Sequence, residues 1–411
     1  MELEYPAQEY IIIFLYFVHK APFIKYCFML YSLCNGGESM NPIIKWPGGK
    51  SREIEKIKPL IPEYDRYVEP FFGGGALFFN LSPKCAAIND ISESLIQYYK
   101  LIKDQDKQLY DLLICYNNSF SNIVSVCSKE TNELLHIFFK LKEGIIQKEE
   151  LSSTLEDLIS SMSDKINSGF SEKLLLNKDE FDSYIHQMVE DKFVRTVANY
   201  NKKPFSTEDL CENLITGFTS GYYMYFRKVF NDISLGRITD QSIQYQAANF
   251  YFIREYCYGS MFRYNSKGEF NIPYGGMSYN RKNMKSKIDN MFNREIDTLF
   301  SNTDIHCSDF EEFFENINLS EKDFMFLDPP YDTDFSDYEG KDFTKTDQER
   351  LAYELKKTLA KFILVIKNTE FISSLYEKDF NILSFDKQYS YNVRSRNNRD
   401  VEHLIITNLP V

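Results

Sequence analysis

The chain has 411 residues, enough for one large domain with an insertion or for two domains, and 43% hydrophobic with 26% charged residues excludes a disordered or collagen-like protein. A formal net charge of −13 argues against a protein that coats nucleic acid indiscriminately. The eight cysteines and five histidines form no C-x-x-C or H-E-x-x-H pattern, so no metal centre or disulfide framework is expected, and the cysteines are read as reduced and mostly buried.

Residues 1–39 are apolar, but the longest clean run, Ile11 to Val18, is eight residues, whereas a membrane span needs ~20. No membrane association is expected. Met1-Glu2-Leu3-Glu4 supplies no basic leader for secretion, which points to the cytoplasm. Gly36-Gly37-Glu38, written as GGAGGTGAA, resembles a bacterial ribosome-binding site just ahead of Met40. Residues 1–39 are therefore read as an in-frame extension upstream of the true start, the alternative being an amphipathic segment packed on the main domain.

"YVEPFFGGGALFFN", residues 67–80, predicts a strand, a glycine loop and a helix. Such a junction lets the backbone approach a ligand, and the helix start presents free N–H groups. "KCAAIND" reads as a second strand and places Asp90 15 to 17 residues beyond the glycines, where nucleotide-binding α/β proteins put the acid that holds a ribose. The loop has neither G-x-G-x-x-G spacing nor a G-K-[ST] ending, which disfavours nicotinamide and ATP. A nucleoside ligand without pyrophosphate fits better, S-adenosylmethionine foremost.

From Leu101 to about Asn249, charged and apolar residues alternate at helical spacing, which predicts a helical insertion. Between Arg254 and Lys287 seven basic residues (Arg254, Arg263, Lys267, Arg281, Lys282, Lys285 and Lys287) face only Glu255 and Glu269. That imbalance resembles a polyanion footprint, the bland alternative being chance clustering on a solvated surface. Further on, "FMFLDPPYDTDF" runs four apolar residues into Asp328, Pro329, Pro330 and Tyr331. The prolines neither continue a strand nor donate a hydrogen bond, and an acid at the carboxyl end of a buried strand sits where α/β sheets carry their chemistry. The bland alternative is a turn cap. "YSYNVRSRNNRD" near the C-terminus, with Arg394, Arg396 and Arg399, reads as a phosphate-contacting loop.

"IIKWPGGK" (43–50), "VEPFFGGGALFF" (68–79), "AINDIS" (87–92), "CSDFEEF" (307–313), "FLDPPYD" (326–332) and "VEHLIITN" (401–408) stand in the order seen in Dam-type DNA adenine-N6 methyltransferases. The chain resembles that family over residues 41–103 and about 250–411. The resemblance implies a doubly wound, Rossmann-like α/β fold whose seven-stranded sheet has one reversed strand, with an inserted helical and hairpin DNA-recognition domain. It divides the chain into 40–103 and 286–411, the two parts of a catalytic domain, with 104–285 inserted between them.

The implied reaction moves a methyl group from S-adenosyl-L-methionine to the N6 amine of an adenine flipped out of double-stranded DNA, leaving S-adenosyl-L-homocysteine. By resemblance, Trp46, Lys50, Glu69, Phe71, Gly73, Gly75 and Asp90 contact the donor, Lys50 near its carboxylate, while Asp309 and Phe310 hold its adenine ring. The target amine is a poor nucleophile because its lone pair is delocalised into the ring. Asp328 and the carbonyl of Pro329 are expected to accept its two hydrogens, with Pro330 stiffening the loop and Tyr331 stacking on the base. Carbon-5 cytosine chemistry is disfavoured, since no cysteine follows a proline.

The segment 256–276 resembles the family's DNA-reading hairpin. Arg263 stands at its guanine-reading position, with Tyr264, Asn265 and Lys267 beside it, and Arg394 and Arg396 are expected on phosphates. Gly259-Ser260 replaces the usual Asn-Gly, which, with the long insertion, leaves the recognition sequence open. A cognate restriction endonuclease, acting separately, is the expected protein partner. Two other readings stay open: an amino-methyltransferase for RNA or protein, and a DNA-binding protein that keeps the fold without turnover.

Overall fold

The computed structural model describes residues 40–50, 53–170, 174–261, 263–330, 343–388 and 400–410. The expectations for residues 1–39, Tyr331, Arg394, Arg396 and Arg399 lie outside these.

A short helix, α1 (Ile54–Ile57), precedes strand β1 (Arg66–Glu69), helix α2 (Ala76–Leu81) and strand β2 (Ala86–Asn89). Both strands are buried on both faces apart from Arg66, as parallel strands covered on each side must be, and each ends in a buried polar residue, Glu69 and Asn89. Helix α3 (Glu93–Lys103) starts where the Ser92 side chain accepts the Leu95 N–H, and ends with Lys100 and Lys103 against its negative dipole end.

A helical block follows: α4 (Lys107–Lys129), α5 (Thr131–Lys142), α6 (Lys148–Asn167), α7 (Lys178–Lys202), α8 (Thr207–Ser234) and α9 (Ile243–Tyr256). Asp106, Asn177, Ser206 and Ser242 cap α4, α7, α8 and α9 through their side chains. The helical insertion expected from Leu101 to Asn249 is present. The chain then returns through α10 (Lys285–Met291) and α11 (Arg294–Ser301) to β3 (Thr303–His306), α12 (Phe310–Ile317) and β4 (Asp323–Leu327). It ends with α13 (Lys345–Lys357), β5 (Lys361–Lys367), α14 (Glu370–Tyr376), β6 (Asn381–Gln388) and β7 (Asp400–Thr407).

The strands form one seven-stranded sheet in the order β3-β2-β1-β4-β5-β7-β6. Strand β7 runs antiparallel to both its neighbours, and the other pairs are parallel, so the sheet has the single reversed strand that the resemblance implied. Chain order reverses between β1 and β4, which places a crevice beyond their carboxyl ends.

Alternate strand residues face opposite sides. Val68, Met325, Leu327, Leu364 and Ile406 pack against α12, α13 and α14. Tyr67, Phe324, Phe326, Ile363 and Ile405 join a second core that continues without a break into the helical block. That core is built from rings: Tyr116, Phe120, Tyr222, Phe226 and Phe252 lie within 6.3 Å of one another in a chain of contacts.

Among the described residues the expectation of mostly buried cysteines is corrected: Cys127 and Cys257 are buried, Cys115 and Cys211 half-buried, and Cys85 and Cys307 exposed. Cys85 and Cys307 stand just outside β2 and β3, so the strand cores leave them at the rim. No helix among the described residues is long and apolar enough to cross a membrane.

Helices α7 and α8 approach closely because α8 places Gly217 and Gly221 one turn apart on the shared face. A Cβ at Gly221 would lie 2.7 Å from the Ile185 Cα and 2.9 Å from the Tyr184 carbonyl oxygen, both backbone atoms that cannot swing away. Gly221→Ala gains ~1 kcal/mol of helix propensity but costs ~1–3 kcal/mol in overpacking. A net loss is therefore expected as a lower urea midpoint with an unchanged slope; an equal or higher midpoint would show that the helices separate freely.

Candidate active site

Strand β1 delivers Glu69 and the glycine loop, and β4 delivers Asp328 to the same end of the sheet, because the strands pair in parallel with Val68 opposite Met325. At the other end the register is held by Arg66, which donates to both oxygens of Asp323, at 2.8 and 3.0 Å. Beyond the carboxyl ends lies a cavity of about 260 Å³. Trp46, Lys50, Glu69, Phe71, Gly73, Gly75, Asp90, Asp309, Phe310, Asp328, Pro329 and Pro330 all line it, so the residues singled out from separate motifs converge.

Local chemistry explains the shape. Gly73 has φ +50°, and a Cβ there would strike the Trp46 ring at 2.6 Å, so only glycine lets the loop tuck beneath the indole. Asp90 holds that loop in place, accepting the Gly73 N–H at 2.8 Å through one oxygen and the Ser92 N–H at 3.0 Å through the other. Burial pushes its carboxyl above the usual range, opposed by these N–H donors. Asn89 staples two loops, donating to the carbonyls of Pro70 and Ser308 and accepting the Ser308 N–H.

Lys50, 2% exposed, donates to Asp328 and, at 3.3 Å, to the Gly48 carbonyl. Glu69, also 2% exposed, accepts the Tyr67 hydroxyl at 2.7 Å. Burial raises the Glu69 carboxyl well above the ordinary range; the Tyr67 hydrogen bond opposes this, and the charges of Asp328 and Asp90 add to it.

The other wall is aromatic. Phe71, Phe310 and Phe343 lie with ring centroids 5.6 to 5.9 Å apart. Asp309 caps α12 by accepting the Glu311 N–H at 3.0 Å, and it also takes a 2.7 Å hydrogen bond from Arg350. Arg350 bonds Glu311 and Asp347 as well and lies 4.9 Å over the Phe310 ring. Phe343, Asp347, Gln348 and Arg350 were missed in the sequence, where only the helix-start pattern Thr344-x-x-Asp347 marked the place.

One member of the basic run 254–287, Arg254, does not belong to a surface footprint. Arg254 is 1% exposed, donating to the carbonyls of Lys45, Ser260 and Met261 at 3.1 to 3.2 Å, with its guanidinium 5.1 Å over the Trp46 ring. Lys282 and Lys287 flank the buried Glu255 carboxylate, Arg281 meets Glu208 and Glu212, and Lys285 meets Asp289. Four of the seven basic residues are thus paired with acids, Arg281 with two from far outside the run. Arg263 and Lys267 remain exposed on a hairpin closed by the bridges Cys257–Tyr274 and Tyr264–Phe270. The Arg263 Nε donates to Asn271 at 3.0 Å, whereas Asn265 turns its side chain inward, accepting the N–H groups of Lys267 and Glu269 to form the turn. Gly259 and Ser260 both take positive φ, +62° and +53°, which strains the serine at the point Arg254 grips.

Fold and cavity together define a Rossmann-like α/β protein with a ligand-sized cavity at the switch point of its sheet. The chain matches D12 class N6 adenine-specific DNA methyltransferases over residues 46–132 and 189–391, and it belongs to that family. It is 24% identical over 377 residues to the type II methyltransferase M.CviBI of Paramecium bursaria Chlorella virus NC1A, covering 90% of this chain and 100% of the relative. It is 25% identical over 380 residues to M1.LlaDCHI of Lactococcus lactis subsp. cremoris (90% and 96%) and 27% over 389 residues to M.MjaIII of Methanocaldococcus jannaschii (90% and 99%). The protein is an adenine-specific DNA methyltransferase that draws on a methyl donor, which removes the readings as an RNA or protein methylase and as a silent binding protein.

The Glu69 carboxyl makes stability pH-dependent. In the unfolded chain it titrates near 4.3, and in the folded protein well above that. Between the two values the native state keeps a proton that the unfolded state releases, so stability falls as pH rises, by at most ~1.4 kcal/mol per pH unit. Glu69→Gln retains an acceptor for Tyr67 and removes this slope. Its stability relative to wild type should rise as pH climbs above the ordinary carboxylate range in urea titrations; a constant difference would mean that Glu69 is ionised in the fold.

Proposed function

We propose that the protein transfers the methyl group of S-adenosyl-L-methionine to the N6 amine of an adenine flipped out of duplex DNA, releasing S-adenosyl-L-homocysteine. The observation that carries this reading is that Asp328 and Pro329 line the same cavity as the glycine loop and Asp90. The cavity suits that donor: an aromatic wall of Phe71, Phe310 and Phe343 for a purine, and Asp90 beside the loop for a ribose. When bound, the donor supplies an electrophilic methyl group on a sulfonium.

The protein's own groups do the rest. Asp328 accepts one hydrogen of the adenine amine and the carbonyl of Pro329 the other, which draws the nitrogen lone pair out of the ring in the transition state. Pro329 and Pro330 stiffen the loop that carries both acceptors. Asp328 need not deprotonate the neutral amine beforehand, since the proton is readily lost once nitrogen carries the methyl group. Lys50, bonded to Asp328 and assigned to the donor's carboxylate, touches both halves of the site. Asp309 carries the adenine edge of the donor, held by Arg350. Tyr331, beyond the described residues, is assigned to stack on the flipped base, worth roughly 1–3 kcal/mol.

DNA is read by the hairpin around Arg263, with Tyr264 and Lys267 beside it and Arg394 and Arg396 on phosphates. Residues 40–103 and 286–411 form the catalytic part and 104–285 the recognition insertion. The relatives named as type II methyltransferases support a place in a bacterial or phage restriction-modification pair, in the cytoplasm, with a separate cognate endonuclease.

Asp328→Ala should abolish methyl transfer while leaving sinefungin affinity nearly intact, and Asp90→Ala should weaken sinefungin binding in calorimetry. Loss of both properties in Asp328→Ala sinks the assignment of Asp328, and unchanged affinity in Asp90→Ala makes that residue purely structural. Once long-read sequencing has mapped the methylated adenines, Arg263→Ala should cost ~1–3 kcal/mol at the cognate site and relax one base position. A uniform loss on all duplexes, with the salt dependence flatter by about one unit, would make Arg263 a phosphate contact instead.

A further inference from the structure

We propose that Gln348 is a positioning residue of methyl transfer, holding the carbonyl of Pro330 so that the preceding carbonyl, that of Pro329, is presented to the target amine. The proposal rests on the reading of Asp328 and Pro329 as the amine's acceptors. Gln348 lies on the first turn of α13, is 0% exposed, and donates from Nε2 to the Pro330 carbonyl oxygen at 2.9 Å.

The loop needs such an anchor. Pro329 and Pro330 have no N–H to offer, so this stretch of backbone cannot fasten itself to a neighbouring strand. Asp328 and Pro329 each precede a proline, which confines both to extended or polyproline conformations. In that geometry successive carbonyls point to different sides of the chain, so drawing the Pro330 carbonyl towards α13 turns the Pro329 carbonyl elsewhere.

Gln348 is itself held firmly. Its helix starts with a reciprocal cap between Thr344 and Asp347, and Arg350 ties it to Asp309 and Glu311 at 2.7 and 2.6 Å. Phe343, just before that cap, sits 5.6 Å from Phe71. The first turn of α13 is thus pinned to the donor side of the cavity, and Gln348 carries that position across to the catalytic loop. The residue is not simply part of a satisfied polar core: its Oε1 is buried with no hydrogen-bond partner among the described residues, a cost that an apolar side chain of the same length would avoid.

The test uses the full chain, unmethylated genomic DNA and saturating S-adenosyl-L-methionine under single-turnover conditions. Gln348→Leu keeps the volume and removes the donor; its transfer rate should fall by about 10- to 100-fold, with sinefungin and DNA affinities within about 2-fold of wild type. Gln348→Glu donates only when protonated, so its rate relative to wild type should fall as pH rises from 6 to 8. A Gln348→Leu protein with the wild-type rate, or one that loses sinefungin affinity in step with rate, overturns the proposal. If Gln348→Leu does not fold, the Glu variant decides, and a rate ratio independent of pH overturns it. Asp328→Ala separates the two levels: continued transfer by that variant removes the underlying reading, whereas an inactive Asp328→Ala beside a normal Gln348→Leu removes the role of Gln348 alone.

Discussion

Parallel pairing of β1 with β4 is the constraint on which the site depends. The glycine loop leaves one strand and the Asp-Pro-Pro segment leaves the other, so their meeting needs Val68 opposite Met325 and no other register. A slip of one residue would invert which side chains face each core. The two-pronged contact of Arg66 with Asp323 works against such a slip, as does the burial of every residue of β4. The residues between the strands close a very long loop, but the entropy of closure grows only with the logarithm of length. The helical block also adds to stability, because its ring-rich interior merges with one face of the sheet.

Burial at the strand ends makes charge expensive, and the cavity is organised around that cost. Each acid that reaches it is met by a specific group: Tyr67 at Glu69, the Gly73 and Ser92 N–H groups at Asp90, Lys50 at Asp328 and Arg350 at Asp309. What remains is a partly aromatic pocket whose acids are already partnered.

A buried cation joins the hairpin that carries Arg263 to the cavity wall. Arg254 grips the carbonyls of Ser260 and Met261 at the foot of the hairpin and that of Lys45 beside Trp46, while its guanidinium covers the indole. Trp46 in turn covers the glycine loop. Any shift of the hairpin foot therefore presses on the wall of the pocket through one side chain, and the strained Ser260 lies in that path.

Much of the catalytic part was legible in the sequence. The strand, glycine turn and helix of residues 67–80, the acid after β2 and the proline stop after β4 depend on neighbours a few positions away, so local chemistry specifies them. The helical insertion was legible for the same reason, its apolar spacing and its caps being local. Pairings between distant residues were not. Seven basic residues between Arg254 and Lys287 read as an exposed stripe, yet packing buries Arg254 and sets Arg281 against Glu208 and Glu212, and Lys282 and Lys287 against Glu255. Gln348 and Arg350 carry no motif at all, and their partners, Pro330 and Asp309, are set by where α13 docks. Which carboxylate meets which cation, and which carbonyl is pinned, follows from the stacking of elements far apart in the chain, and only the assembled sheet and helices decide it.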